Sequence, residues 1–487
     1  MSKSSITQLK RSQLLNQVKQ EIKEQQFQSL HRLVLVNLAQ EKSPELWRRT
    51  WDLELKIGRH PTLQLPPQIT LRQIFQQTQR QLLILGNPGG GKTTSLLQLG
   101  RRLLISAQKD EQAPIPVFFN LSSWQANGQG ITPWFIQQLQ FKYKIKPEIA
   151  QSWLAQNQLI LLLDGLEQLK FPEQEFCIQA INRWLESEAT HQSIVITANL
   201  MDYQKCQTRL KLKAALLLKK LTEAQIETYL KATRSRELWH NIETQPQLLK
   251  LARIPILLTM MTLSYEEILI ESWKRLTTDS QRRQYLCNAY IRRQLSSHDH
   301  RPGQEPTPEQ TRRWLIWLAQ RLQESQQQEW GVPEYPVIGF VSPTLSRIAI
   351  STRGNPQENY TDFTLDKLSP QWLQTPEQQQ EYERGVRRLT GLLILLFIGG
   401  IVTVFTSVVW GIMSGILAGM ISGLFLRIGA IEKLILRWIF WKRNYLPWNY
   451  QRFLNYATSR SLLQRVNHRY QFIHRILQEH LSQSSFE

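Results

Sequence analysis

The sequence predicts an α/β domain built on a parallel sheet, followed by a helical region. Three observations carry that prediction. Five apolar runs, Leu82–Leu85, Ile115–Phe119, Leu159–Leu163, Ile194–Thr197 and Leu216–Leu218, alternate with helical patterns. Continuous apolar runs separated by helices describe parallel strands covered on both faces. A glycine-rich turn joins the first run directly to a helix, and from residue 222 onward helix follows helix.

The glycine-rich turn lies in LLILGNPGGGKTTSLLQLG, residues 82–100. Gly86, Gly91, Lys92 and Thr93 fill the pattern GxxxxGK[ST], and Asn87, Pro88, Gly89, Gly90 and Thr94 complete the loop and the helix start. Glycines let backbone N–H groups curl around a phosphate without Cβ clashes, and the helix that begins there directs its positive dipole end at the anion. Lys92 is placed for the β- and γ-phosphates and the Thr93 hydroxyl for Mg²⁺. The fold class is therefore an α/β P-loop NTPase domain, and the implied ligand is a nucleoside triphosphate with Mg²⁺. Hydrolysis also needs a carboxylate for the metal and a group that positions water. LILLLDGLEQL (159–169) supplies a strand ending in Asp164, suited to Mg²⁺, with Glu167 three residues later, suited to polarising the attacking water.

Before this domain, residues 1–80 read as a helical, basic region with apolar positions at Leu14, Leu15, Val18, Ile22, Phe27, Leu30 and Val34. HPTLQLPPQIT (60–70) reads as a Pro-containing linker. The NTPase domain is expected over 81–221. Thr222-Glu223-Ala224-Gln225 is a capping-box pattern that opens a helical region expected over 222–385, and Thr307-Pro308 starts another helix carrying Trp314, Leu315, Trp317, Leu318 and Leu322. Residues 326–380 give an irregular pattern of short helices or strands and loops.

The composition then changes. Leu389 to Leu426 is a run of 38 residues without a charge, flanked by Arg384, Arg387, Arg388 and Arg427. A single helix of that length would measure about 57 Å against a hydrocarbon thickness of about 30 Å, so two spans of roughly 17–18 residues fit better. Gly411, Gly415, Gly419 and Gly423 recur on one helix face, a spacing that allows close backbone approach in lipid. A transmembrane hairpin is expected over 386–430, with a hairpin buried in a soluble core as the alternative. The basic flanks place both ends on the cytoplasmic side, giving a multi-pass membrane protein of two spans with a cytoplasmic NTPase domain. Over 431–487 an interfacial helix with Trp438 and Trp441 at headgroup level is expected, then a polar, helical end.

Composition sets outer bounds. The formal charge of +20 suits an anionic partner, nucleic acid or a lipid surface. Cys177, Cys206 and Cys287 are too far apart to suggest a disulfide framework or a zinc site, which fits a reducing compartment. MSKSSITQLKRSQ lacks the apolar core of a secretory signal.

Taken together, GNPGGGKTT, LILLLDGLEQL, VFFNLSSW (117–124), IVITANLMDY (194–203), RIPILLTMMTLSY (253–265) and QFIHRILQEHL (471–481) resemble the NACHT family of signal-transduction NTPases, in an order similar to membrane-anchored cyanobacterial members of this STAND class. The resemblance implies that Thr197 stands at a sensor-1 threonine and Pro255 at a proline packing near the adenine. It places His474, with Phe472 and Glu479 in register, at the histidine of a winged-helix-like segment that contacts the β-phosphate of ADP. It also implies an ATP/ADP switch and oligomerisation on activation. Two departures bear on turnover: Glu167-Gln168 replaces a pair of carboxylates, and Thr197-Ala198-Asn199 lacks the usual arginine. Missing cationic stabilisation near the γ-phosphate predicts slow hydrolysis with binding intact.

Three function classes follow. The first is a membrane-anchored ADP/ATP switch in which the γ-phosphate changes contacts at Thr93, Asp164 and Asn199. The second is a membrane-coupled transport or remodelling ATPase, although no LSGGQ-like stretch is present. The third is a nucleic-acid-stimulated ATPase, motivated by the charge but without a recognisable nucleic-acid module. No internal repeat of 20–50 residues supplies a sensor array.

Overall fold

The computed structural model describes residues 3–28, 53–57, 63–64, 69–126, 130–169, 171–233, 235–296, 305–327, 372–373, 376–386, 388–389, 428–466 and 469–484. A seven-stranded sheet holds the first half together, in the order β2-β1-β7-β3-β6-β5-β4. Its five parallel strands are β3 (Gln81–Gly86), β4 (Ile115–Asn120), β5 (Leu159–Asp164), β6 (Ser193–Asn199) and β7 (Ala214–Leu218). These are the five apolar runs of the sequence, each extended by zero to two residues at either end. Their side chains are almost wholly buried because helices cover both faces, which is what a run without polar alternation requires.

The order matters more than the count. β6 lies between β3 and β5, in register so that Thr197 pairs with Ile84, Asn199 with Gly86, and Ile196 with Leu163. The carboxyl ends of the three strands therefore present the phosphate loop, Thr197 and Asp164 side by side, at the crevice where open α/β sheets take ligands.

The region before the phosphate loop differs from its helical expectation. A helix is present, α1 (Lys3–Gln28), and it buries Leu14, Val18 and Ile22. Strands β1 (Leu53–Ile57) and β2 (Leu63–Gln64) follow, however, and β1 runs antiparallel to β7. The five residues Leu-Glu-Leu-Lys-Ile alternate with period two, a strand pattern too short to stand out within a basic helical stretch. The short helix α2 (Leu71–Gln77) starts at a Thr70/Gln73 capping box. Next come α3 (Lys92–Lys109), α4 (Thr132–Tyr143), α5 (Pro147–Ala155), α6 (Phe171–Ser187) and α7 (Leu200–Lys205), which complete the α/β unit. On the edge strand β4, the Phe118 N–H donates to the Tyr143 hydroxyl at 3.0 Å and the Phe118 carbonyl accepts from the Lys142 ammonium.

Helices α8 (Glu223–Ala232), α9 (Arg236–Thr244), α10 (Pro246–Ala252), α11 (Pro255–Leu263), α12 (Ile270–Lys274), α13 (Asp279–Leu295) and α14 (Pro308–Gln327) form the helical region. Thr222 accepts the Gln225 N–H and Thr307 the Gln310 N–H, so both starts read from the sequence are capped as expected. The last unit contains α15 (Ile428–Lys442), α16 (Tyr450–Ser459), the antiparallel pair β8 (Leu463–Val466) and β9 (Arg469–Phe472), and α17 (Arg475–Ser482). The strand pair was not expected in a segment read as helical.

The membrane expectation needs correction. Among the described residues no helix is long and apolar enough to cross a membrane, so the two-span, multi-pass assignment over 386–430 does not stand. All of the uncharged run on which it rested except Leu389, residues 390–426, lies outside the described residues. The helix read as interfacial, α15, packs one side against the protein. At 15 residues α15 is about 22 Å long. It carries Glu432, Lys433, Arg437 and Lys442. Its Ile435, Leu436, Ile439 and Phe440 are buried, with the Phe440 ring 5.0 Å from that of Trp317 on α14. Trp317 is 1% exposed and also stacks on Tyr445. Four apolar residues of α15 are thus used in protein packing, while Leu434, Trp438 and Trp441 on the same helix are exposed.

Candidate functional site

The phosphate loop leaves β3 at Gly86 and enters α3 at Lys92. Gly89 (φ 73°) and Gly91 (φ 90°) take the left-handed conformation that side-chain-bearing residues avoid. The Gly90 N–H closes the turn on the Asn87 carbonyl at 3.0 Å. Lys92, only 7% exposed, donates to the carbonyls of Gly86 (3.2 Å) and Asn87 (3.4 Å) and lies 3.3 Å from the Glu167 carboxylate. A buried ammonium must be paired, and here the loop backbone and one acid share the task.

Asp164 ends β5 and accepts two hydroxyls. Thr93 Oγ1 donates to one oxygen at 2.7 Å, and Thr197 Oγ1 donates to the other through a short contact. Thr197 is fully buried at the end of β6, so it reaches Asp164 from the strand between the two motifs. The hydroxyl of Thr93 and the carboxylate of Asp164 form a pair of hard oxygen donors, the chemistry that Mg²⁺-class cations take. Among the described residues no group of three or more His, Cys, Asp or Glu holds a metal on its own. Two oxygen donors leave most of an octahedral shell to other oxygens, such as those of a phosphate or water.

Glu167 sits on a single 3-10 turn, Leu166–Gln168, directly after Asp164. Burial pushes its carboxyl above the usual range, Lys92 pulls it down and Asp164 adds to the rise. Its second oxygen is buried with no hydrogen-bond partner. Asn199, at the end of β6, accepts the Met201 N–H at 3.0 Å through its side-chain oxygen and caps α7.

Two residues distant in sequence join this site. Pro255 opens α11, and the following Ile256 N–H donates to the Gly89 carbonyl at 3.3 Å. A Cβ on Gly89 would stand 2.3 Å from Ile256 Cγ2, so the helix rests directly on the loop. His474 caps α17, its Nδ1 accepting the Ile476 N–H at 3.1 Å. Burial first, then the charges of Lys92 and Arg475, push its pKa down to about 4. A neutral ring whose Nδ1 accepts carries its proton on Nε2. The fold thus brings together the loop Gly86–Thr94, Asp164, Glu167, Thr197 and the start of α11 at Pro255, with His474 near enough to Lys92 to feel its charge. Ile256 and Arg475 went unnoticed in the sequence, and an apolar residue after a proline gives no sign that its backbone N–H serves the loop.

The NACHT domain family matches over a stretch that begins one residue before β3 and ends in α9. Residues 80–237 match the NACHT domain. No curated protein matches the chain. The NACHT match supports a nucleotide-binding NTPase of signalling type, and NACHT domains bind nucleotides with a divalent metal. NACHT proteins commonly oligomerise on activation. The NACHT boundaries enclose the phosphate loop, Asp164, Glu167 and Thr197, and leave Pro255 and His474 in the units that follow.

Proposed function

We propose that the chain is an ADP/ATP switch that hydrolyses slowly. The observation that supports this reading is the meeting of the phosphate loop, Asp164 and the N-terminus of α11, with His474 close enough to feel the Lys92 charge. A nucleotide there touches the NACHT domain, the helical region and the last unit together. Lys92 binds the β- and γ-phosphates, Thr93 and Asp164 hold Mg²⁺, and Pro255 packs near the adenine. The Nε2–H of His474 donates to the β-phosphate, the task expected of a winged-helix-like segment, and holds the closed form. Glu167 polarises the attacking water only after its pairing with Lys92 is broken. No arginine stands at 197–199 to stabilise transition-state charge, and Gln168 adds no carboxylate, so turnover stays low. ATP in place of ADP alters the contacts at Thr93 and Asp164 and shifts the closed arrangement toward an open one that oligomerises.

The test is to purify the protein, quantify the nucleotide it carries and follow turnover, with Lys92→Ala as control. Near-stoichiometric ADP with very slow hydrolysis supports the switch. An empty site with brisk turnover overturns it in favour of a working ATPase.

A further inference from the structure

Helix α1 touches two units of the molecule that the switch reading requires to move relative to one another. It lies against α3, the helix that begins at the phosphate loop, against β4, and against β8 of the strand pair that leads to His474. Its apolar face, Leu14, Val18 and Ile22, repeats every fourth residue and is buried. Two polar anchors fix its position. The Arg11 Nη2 donates to the carbonyls of Ala107 (3.3 Å), Asp110 (3.2 Å) and Ala113 (2.7 Å), gathering the last turn of α3 and the turn into β4. A cation at that helix end also meets the negative end of its dipole. The second anchor is Glu21, 6% exposed, whose carboxylate accepts from the Lys142 ammonium at 2.6 Å and the Tyr143 hydroxyl at 2.8 Å. A buried carboxylate bonded by two donors marks a specified docking position, since loss of either side leaves an unpaired buried group.

β9 ends at Phe472, two residues before His474. A helix pinned to the rear of α3 and lying against β8 therefore restrains the unit that delivers His474 to Lys92. We infer that α1 is an intramolecular latch: it holds the last unit on the NACHT domain, and its release is the step that frees His474 from the nucleotide site. The nucleotide part of this inference rests on the switch reading, whereas the restraint on β8 and β9 does not.

Two measurements on the full chain separate the two. Hydrogen–deuterium exchange of residues 463–473 is read first without added nucleotide, in wild type, Arg11→Ala and Glu21→Gln. The latch predicts at least tenfold faster exchange in both variants, with the protection of β3 and β5 unchanged. Unchanged exchange in 463–473 overturns the latch whatever the switch does. Release of a fluorescent ADP analogue is read next. Arg11→Ala is expected to speed it about tenfold, and Arg11→Ala/His474→Ala to release no faster than His474→Ala alone, the non-additivity of residues acting through one contact. Full additivity in the double variant overturns the route through His474. Failure of the wild type to retain ADP overturns the switch, and the exchange result then decides the latch by itself.

Discussion

The Lys92 ammonium lies 3.3 Å from the Glu167 carboxylate, so the cation proposed to bind phosphate and the acid proposed to serve the attacking water restrain each other. In the proposed switch, phosphate takes Lys92 away from Glu167 before either acts. Glu167→Gln is therefore expected to keep or tighten nucleotide binding severalfold while lowering turnover roughly 100-fold, the scale of a lost general base. Lys92→Ala is expected to lose binding altogether. Titration with a fluorescent ATP analogue, alongside phosphate release, separates the two effects. Equal loss of binding and turnover in Glu167→Gln would contradict the assignment.

Thr197→Val tests the link between strands. It removes the hydroxyl that Asp164 accepts while keeping the shape of a fully buried side chain. Asp164 would then retain the Thr93 hydroxyl alone. The expected outcome is a Mg²⁺ requirement for ATP binding shifted about tenfold upward, with metal-free ADP binding little changed, as befits a group that orients a metal ligand. Isothermal titration at several Mg²⁺ concentrations checks it.

The pH dependence has a definite sign. His474 is pushed down from 6.5 to about 4 by burial, then by Lys92 and Arg475; His480 reaches about 4 through burial and the Arg312 charge. Between these values and 6.5 the unfolded chain binds protons that the folded chain does not, so stability rises with pH across that window and falls on acidification. Glu167, whose carboxyl is raised, acts in the opposite sense above its ordinary value of 4.5. Thermal melts from pH 7 to pH 4 are expected to show a falling Tm, with a shallower fall in His474→Gln. A slope unaffected by that substitution would place His474 in water rather than in the site.

Packing between α14 and α15 gives a purely structural prediction. Trp317 meets Trp372, Phe440 and Tyr445 within 6 Å between ring centres. Trp317→Ala should cost about 3–5 kcal/mol, the range for deleting a large buried aromatic. Denaturant unfolding followed by tryptophan fluorescence is expected to show early loss of the α14–α15 region while the parallel sheet persists.

Much of the parallel sheet was legible because each central strand is a continuous apolar run bounded by polar turns, and the phosphate loop because its glycines and Lys92 are contiguous. Asp164 and Glu167 were legible for the same reason, lying at the end of such a run. Strand β1 was not, because its membership depends on antiparallel pairing with β7, some 160 residues away in sequence. The capping role of Asn199 was not legible, because whether its side-chain oxygen meets the N–H two residues on depends on the backbone turn. The side of α15 that meets Trp317 through Phe440 was not legible, because composition measures hydrophobicity and not the identity of what lies opposite.

The covering of β4 bears on how copies of the chain can meet. An uncovered edge strand containing Val-Phe-Phe would be a template for cross-β growth, since its outward amides and carbonyls invite a foreign strand. Here the Phe118 N–H and carbonyl are already engaged by Tyr143 and Lys142. A neighbouring strand would have to displace a charged side chain and a buried phenol to extend the sheet. Assembly on this side is thereby directed to side-chain surfaces, where contacts can be undone, and away from fibrillar pairing, where they seldom are.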